Sequence, residues 1–333
     1  MQESDVWRIA QSLMPPDAWK DDAFHSPISP SLKRVYSMDT FVEGTHFNPQ
    51  WQSWRSIGWR CLSASLSDLA ACGAKPLGFL IGLTLPIAVE PEAVTSFYQG
   101  LEDACQALSP GLKLWGGDTT GGKAWVVSIT VIGEASTTVS LKRQEAQVGN
   151  LVLTTGHHGL SGLGCWLLNQ KADTRAFPEA LNAFKRPMAQ IEAGLTLAHY
   201  IPTASLMDTS DGLADAALQC GKASQVQVVL DATRIPLHAE LQHAQRLFPT
   251  VKALDLLRYG GEDFQLLATV PPSAWETHHT ALEAVGFFPI GEIKALPLVP
   301  LSPQSALPLS SYATWQDLQG HCVALDPTQR FQH

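Results

Sequence analysis

From Trp54 onward, Ile57, Cys61, Leu62, Ala64, Leu66, Leu69 and Ala70 recur at helical spacing, and Gly73 ends the stripe; the pattern predicts a buried amphipathic helix. Ahead of it, residues 34–47 read as a strand running into a loop; behind it, residues 77–85 read as a strand closed by Pro86. A second helix is predicted over residues 92–108, broken by Pro110-Gly111, and the β-branched run 124–133 predicts another strand. At the N-terminus, Val6, Ile9, Leu13 and Met14 suggest a short helix that Pro15-Pro16 would stop.

The second half repeats the alternation. A strand at residues 151–155 leads through the glycine-rich turn 156–164 into a helix, residues 207–215 form an acidic turn opening another helix, and residues 226–230 read as a strand. Residues 257–265 make a further glycine turn before a strand, and the proline-rich stretch 296–309 reads as a connector. Mixed elements of this order predict an α/β (α+β) protein with a substantial sheet in each half. A chain of 333 residues is long for one core. The polar stretch 137–147 marks the junction, so the expected units are 1–147, 148–305 and a C-terminal tail, 306–333.

Composition narrows the classes. Hydrophobic residues at 45% and charged residues at 16% fit a folded protein, and a formal net charge of -9 with no basic patch argues against nucleic acid or an anionic membrane as partner. The six cysteines are scattered without a C-x-x-C pair, so reduced, packed thiols are expected. No signal peptide or spanning run is visible, and the expected compartment is the cytoplasm.

The candidate chemistry centres on Leu114-Trp115-Gly116-Gly117-Asp118-Thr119-Thr120-Gly121-Gly122-Lys123. Glycines allow close backbone approach, the aspartate can hold a hard cation and the threonines offer hydroxyls, a combination suited to phosphate and magnesium. Gly117 to Lys123 nearly spells a P-loop, but Ala124 stands where a hydroxyl belongs and a strand, not a helix, follows. Other acids sit in similar settings: Asp22 in a polar turn, Asp39 at a strand end, Asp68 inside an apolar helix, and Asp208 and Asp211 at a turn. Asp68 must face solvent or meet a cation or donor, because bare burial of a carboxylate is costly. The turn 156–164 could receive phosphate through its amides, or serve only as a tight turn. Gathered in one cleft, such acids repel one another unless divalent cations neutralise them, which points to magnesium and a polyphosphate.

The ordered series Asp21-Asp22-Ala23, Ser37-Met38-Asp39, Val42-Glu43-Gly44-Thr45-His46-Phe47, Leu66-Ser67-Asp68-Leu69-Ala70-Ala71, Gly116-Gly117-Asp118-Thr119-Thr120, Met207-Asp208-Thr209-Ser210-Asp211-Gly212 and Gly260-Gly261-Glu262-Asp263-Phe264 resembles the thiamine-monophosphate kinase family. The resemblance implies the two-domain PurM-like fold of aminoimidazole ribonucleotide synthetase, a homodimer paired through its N-terminal sheets, and ATP bound without a P-loop. It implies that several magnesium ions are held by Asp22, Ser37, Asp39, Asp68, Asp118, Asp208 and Asp211, with Asp68, Asp118 and Asp211 carrying the catalysis. Gly117, Asp118, Arg143 and Ser210 would face ATP, with Tyr98 a further candidate, while His46 and Glu262 would face thiamine monophosphate. The implied reaction is phosphorylation of thiamine monophosphate to thiamine diphosphate by in-line transfer.

Three positions depart from the family pattern: Lys20 replaces a glycine, Met38 replaces a threonine and Gly121 replaces an arginine. The aromatic expected over the thiamine end falls near Gly320-His321 and has no match. The alternatives are a silent ATP-binding member of the superfamily and an aminoimidazole ribonucleotide synthetase-like ligase. Selenophosphate synthetase would need an early reactive cysteine, and a hydrogenase-maturation relative would need a C-terminal one.

Overall fold

The computed structural model describes residues 23–297, 308–317, 319–326 and 328. The first half contains β1 (Phe24–Pro27), β2 (Leu32–Val42), α1 (Trp54–Ala71), β3 (Lys75–Pro86), α2 (Pro91–Leu108), β4 (Lys113–Gly122) and β5 (Val126–Ser136). Their strands form a mixed five-stranded sheet in the order β1-β2-β5-β3-β4, with β4 parallel to β3 and the other neighbours antiparallel.

The second half contains β6 (Ser140–Leu141), β7 (Leu151–Thr155), α3 (Leu160–Asn169), α4 (Pro178–Lys185), α5 (Ile191–Tyr200), β8 (Thr203–Asp208), α6 (Leu213–Ser224) and β9 (Gln227–Asp231). It continues with α7 (Ala239–Leu247), α8 (Ala253–Tyr259), β10 (Leu266–Val270), α9 (Pro272–Ala284), β11 (Phe287–Lys294), β12 (Ala313–Gln316) and β13 (Cys322–Ala324). The eight-stranded sheet runs β13-β12-β9-β11-β7-β10-β8-β6. Residues within the polar junction, ahead of the expected boundary at 147, thus already pair into this sheet through β6, and part of the expected tail is built into it. The reason is packing: β12 pairs parallel with β9 and buries Trp315 in a core lined by Val228 and Leu230.

α1 is the structural axis. Ser53 caps its first turn by accepting from the Ser56 amide, and residues 57–67 are buried without interruption. A surface helix buries one stripe, and one buried all round must have neighbours on every side. Here α2, the five-stranded sheet, α5 and β8 supply them, joining both halves in one continuous core. α2 crosses closely enough that a Cβ on Gly58 would sit 2.1 Å from the Phe97 carbonyl oxygen, and one on Gly100 1.9 Å from that of Arg55. Alanine at either position would force the helices apart.

Among the described residues, only one face of the five-stranded sheet is covered. Along β2, Val35, Ser37, Asp39 and Phe41 turn toward α1, while Tyr36, Met38 and Thr40 face the other way, as the period of 2 requires. Met38 is 61% exposed and Trp115 54% exposed, with Tyr36 and Leu80 also open. Cys61, Cys72, Cys105 and Cys220 are buried free thiols; Cys165 is half-buried and Cys322 exposed. Among the described residues, no helix is long and apolar enough to cross a membrane.

Candidate active site

Three of the acids singled out above, Asp39, Asp68 and Asp208, converge on α1 from different directions, each meeting a serine hydroxyl. Ser37 of β2 donates to the Asp68 carboxylate. Ser67, fully buried one residue earlier on the helix, donates to Asp208 at the end of β8 at 2.7 Å. Burial pushes the Asp39 carboxyl above the usual range, against the opposing pull of a hydrogen bond with Ser65. One helix thus ties Ser37 and Asp39 of the N-terminal sheet to Asp208 of the C-terminal sheet. Asp68 satisfies the expectation set by its apolar context through a donor, Ser37.

Asp211 and Ser210 lie in the turn after β8, against the loop that follows α8. The Thr209 amide donates to the Gln265 carbonyl at 2.8 Å, the Gln265 amide to the Thr209 hydroxyl at 3.1 Å, and the Glu262 amide to the Ser210 carbonyl at 2.7 Å. These bonds place Ser210 and Glu262, nominated for different substrates, side by side.

Asp118 stands apart. The glycine-rich stretch around Asp118 is β4, an edge strand of the described sheet exposed along most of its length. Gly117 is required there by close approach, since a Cβ would fall 2.0 Å from the Ile81 carbonyl oxygen. Register runs Thr40, Ser128, Gly82, Asp118 across one row of the sheet and Asp39, Ile129, Ile81, Gly117 across the next. Paired residues share a face, so Asp118 points to the open face and Asp39 to the helical one. Three strand spacings, about 14 Å, also separate their strands, β2 and β4. The same alternation turns the Met38 side chain away from Ser37 and Asp39. Among the described residues no three His, Cys, Asp or Glu side chains come together as a metal-binding group, and Asp22 lies outside the described residues.

His46 and Glu262 do meet. Both line a cavity of about 310 Å³ whose walls include Phe47, Trp51, Phe184 and Asn169. His46 is fixed by the turn after β2: its amide donates to the Val42 carbonyl at 2.8 Å and its Nδ1 accepts from the Val42 amide at 3.0 Å, so the proton of the neutral ring is on Nε2. Glu262 is buried and holds a left-handed backbone, φ +63°. Its carboxylate is ion-paired with Arg60 of α1.

The other nominated positions are more scattered. Arg143 sits in a 3-10 turn whose carbonyl accepts from Ser205 at 3.0 Å and Ser224 at 2.9 Å, three residues back along β8 from Asp208. Tyr98 packs beside Phe97 on α2, against the core. The amides of the turn 156–164 are taken by an internal anion: those of Gly159 and Ser161 donate to Asp263 at 2.5 and 2.9 Å. That leaves the start of α3 capped by a carboxylate, the tight-turn alternative for this stretch. Burial outweighs those two bonds and raises the Asp263 carboxyl to about 7.

Sequence patterning missed Arg60, Trp51, Phe184 and Asn169. Only Arg60 carried a usable signal, and it is the one that identified Asp68: a charge inside an apolar helix needs a partner.

Residues 20–135 match the family described as AIR synthase related protein, N-terminal domain, and residues 147–298 its C-terminal domain. These two units, joined along α1, define the class: a two-domain PurM-like α/β fold. Solved HypE structures share it, at 15% identity and a TM-score of 0.78 for the HypE-HypF complex. The thiamine-monophosphate kinase of Synechococcus elongatus is 32% identical over 310 residues, covering 90% of each chain. That of Bacillus subtilis is 31% identical, over 77% of this chain and 78% of its own. AaThiL complexed with AMPPCP and TMP superposes with a TM-score of 0.79 at 25% identity, covering 89% of this chain and 93% of that one. The chain belongs to the thiamine-monophosphate kinase family of AIR synthase related proteins, and it is a kinase.

Proposed function

We propose that this kinase transfers the γ-phosphoryl group of ATP directly to the phosphate of thiamine monophosphate, giving ADP and thiamine diphosphate. The observation that carries the reading is the backbone bond from Glu262 to Ser210, which places the cavity of His46 and Glu262 against the loop of Asp208 and Asp211. The likeness to AaThiL, solved with both AMPPCP and TMP, supports the same pairing of sites.

The donor set fits magnesium, being entirely oxygen: the carboxylates of Asp39, Asp68, Asp208 and Asp211 and the Ser37 hydroxyl, with Asp22 the further expected ligand. Bound there, several magnesium ions would offset the charge of the polyphosphate and the acceptor phosphate. The rest falls to the chain. Ser65 and Ser67 hold Asp39 and Asp208, keeping like charges near one another in a fixed arrangement. Ser210 and Arg143 face the nucleotide, with Tyr98 at its margin. The acceptor oxygen is ionised near neutral pH, so no general base is needed. It attacks the γ-phosphorus in line as the bond to the β,γ-bridging oxygen breaks, and ADP leaves with that electron pair.

Asp118 enters this scheme from a second protomer. The sheet face that the described residues leave open, with Tyr36, Met38, Leu80 and Trp115, is an apolar patch of the kind that marks an interface, and β4 is the edge of the described sheet beside it. A homodimer built on this face brings Gly117 and Asp118 of the partner subunit toward the nucleotide held by α1 and β8. The dimer works in the cytoplasm.

The direct test is incubation of purified protein with ATP, magnesium and thiamine monophosphate. Thiamine diphosphate and ADP are expected in equal amounts. Bound ATP with neither product would instead establish a silent nucleotide-binding member.

A further inference from the structure

The acceptor cavity and the nucleotide-side loop meet at a buried ion pair between the two halves of the chain. Arg60, 2% exposed, reaches from α1 to the Glu262 carboxylate, itself on a residue 6% exposed. Its second terminal nitrogen donates to the Phe184 carbonyl, and its guanidinium plane lies over the Phe184 ring at 4.5 Å. Glu262 keeps its left-handed backbone and donates its amide to Ser210 at 2.7 Å. One side chain from the helix bearing Ser65, Ser67 and Asp68 therefore holds both a wall of the cavity and the loop beside Ser210.

We propose that Arg60 is a positioning residue for the acceptor: it neutralises Glu262 and locks its carboxylate in the cavity, in register with the Ser210 loop. The proposal rests on the acceptor reading of the cavity given above. Its chemical content lies in the charge. A carboxylate paired this closely adds little net negative potential, so the cavity recognises its occupant by hydrogen bonding and by stacking on Trp51 and Phe184. That environment suits the neutral aminopyrimidine half of thiamine monophosphate better than its cationic thiazolium. Arg60 is committed to protein partners through both terminal nitrogens, to Glu262 and to the Phe184 carbonyl. Lysine cannot replace it fully, lacking the planar fork that holds Glu262 and the Phe184 carbonyl together.

Steady-state kinetics of the full-length protein test this role with Arg60→Lys, Arg60→Met, Glu262→Gln and the double variant Arg60→Met/Glu262→Gln, with folding followed by thermal melting and ATP binding. The expected series is graded. The KM for thiamine monophosphate rises about threefold in Arg60→Lys and about tenfold or more in Arg60→Met, while the KM for ATP stays within about twofold. The double variant is no worse than the worse single one, because Arg60 acts through Glu262. If Arg60→Met does not fold, Arg60→Lys against Glu262→Gln carries the comparison. An unchanged acceptor KM in the folded Arg60 variants, or losses that multiply in the double variant, would overturn the role of Arg60 in an active enzyme. A wild type forming no thiamine diphosphate would overturn the acceptor reading and this role together.

Discussion

Two sets of carboxylates in this molecule share one family signature and live in opposite surroundings. Asp208, 3% exposed, and the half-buried Asp39 and Asp68 each meet a serine hydroxyl at α1, Asp68 from the helix itself. Asp118 stands on an edge strand, facing the open side of the same sheet. The buried set is fixed by the fold before any ligand arrives, so the fold bears the cost of desolvation. The exposed one costs the monomer nothing, and in the proposed dimer a second protomer would bring it to the site. In the proposed scheme, equal importance to the reaction would therefore not mean equal importance to stability.

That difference can be broken experimentally. Asp208→Ala and Asp118→Ala should each lower turnover by about 10³-fold, the scale of losing a preorganised electrostatic partner. Only the first should weaken the fold, by about 1–3 kcal/mol, since it strands the buried Ser67 hydroxyl. Asp118→Ala should melt within about 0.5 kcal/mol of wild type, as exposed substitutions do. Chemical denaturation beside turnover measurements would decide, and equal destabilisation by both would erase the contrast.

Asp263 sharpens the same contrast with a smaller effect, being a buried carboxyl held only by protein amides. Its folded value, raised to about 7 from 3.8, means that its contribution to stability is fully present below about pH 4 and lost as pH rises through about 7. The stability of wild type relative to Asp263→Asn should therefore fall across that window, by on the order of 4 kcal/mol. Parallel profiles would mean that the amides of Gly159 and Ser161 keep Asp263 ionised throughout.

Much of this was legible in the sequence. The stripe from Ile57 to Ala70 fixes α1 because helix period and burial agree, and the apolar flanks of Asp68 announce a partnered carboxylate. The family resemblance implied a shared role for His46 and Glu262, and the two line one cavity although 216 positions separate them in the chain. The facing of Asp118 was not legible. A run of glycine, threonine and aspartate has no apolar alternation from which to read a strand, and its face is set by register with β3, a long-range property. The capping of the turn at Gly159 by Asp263 is equally non-local, joining residues 104 positions apart. The departure at Met38 loses weight for a related reason: the pleat of β2 turns that side chain away from the acids.

The central claim is that each site takes Asp118 from the neighbouring protomer. Co-expression of Asp118→Asn and Asp208→Asn chains bearing different affinity tags, followed by purification of the doubly tagged dimer, tests it most directly. Each heterodimer would hold one intact site and one doubly defective site, so about half of wild-type activity is expected from two variants that are inactive alone. A doubly tagged dimer as inactive as either parent would contradict the account and return Asp118 to the site of its own chain.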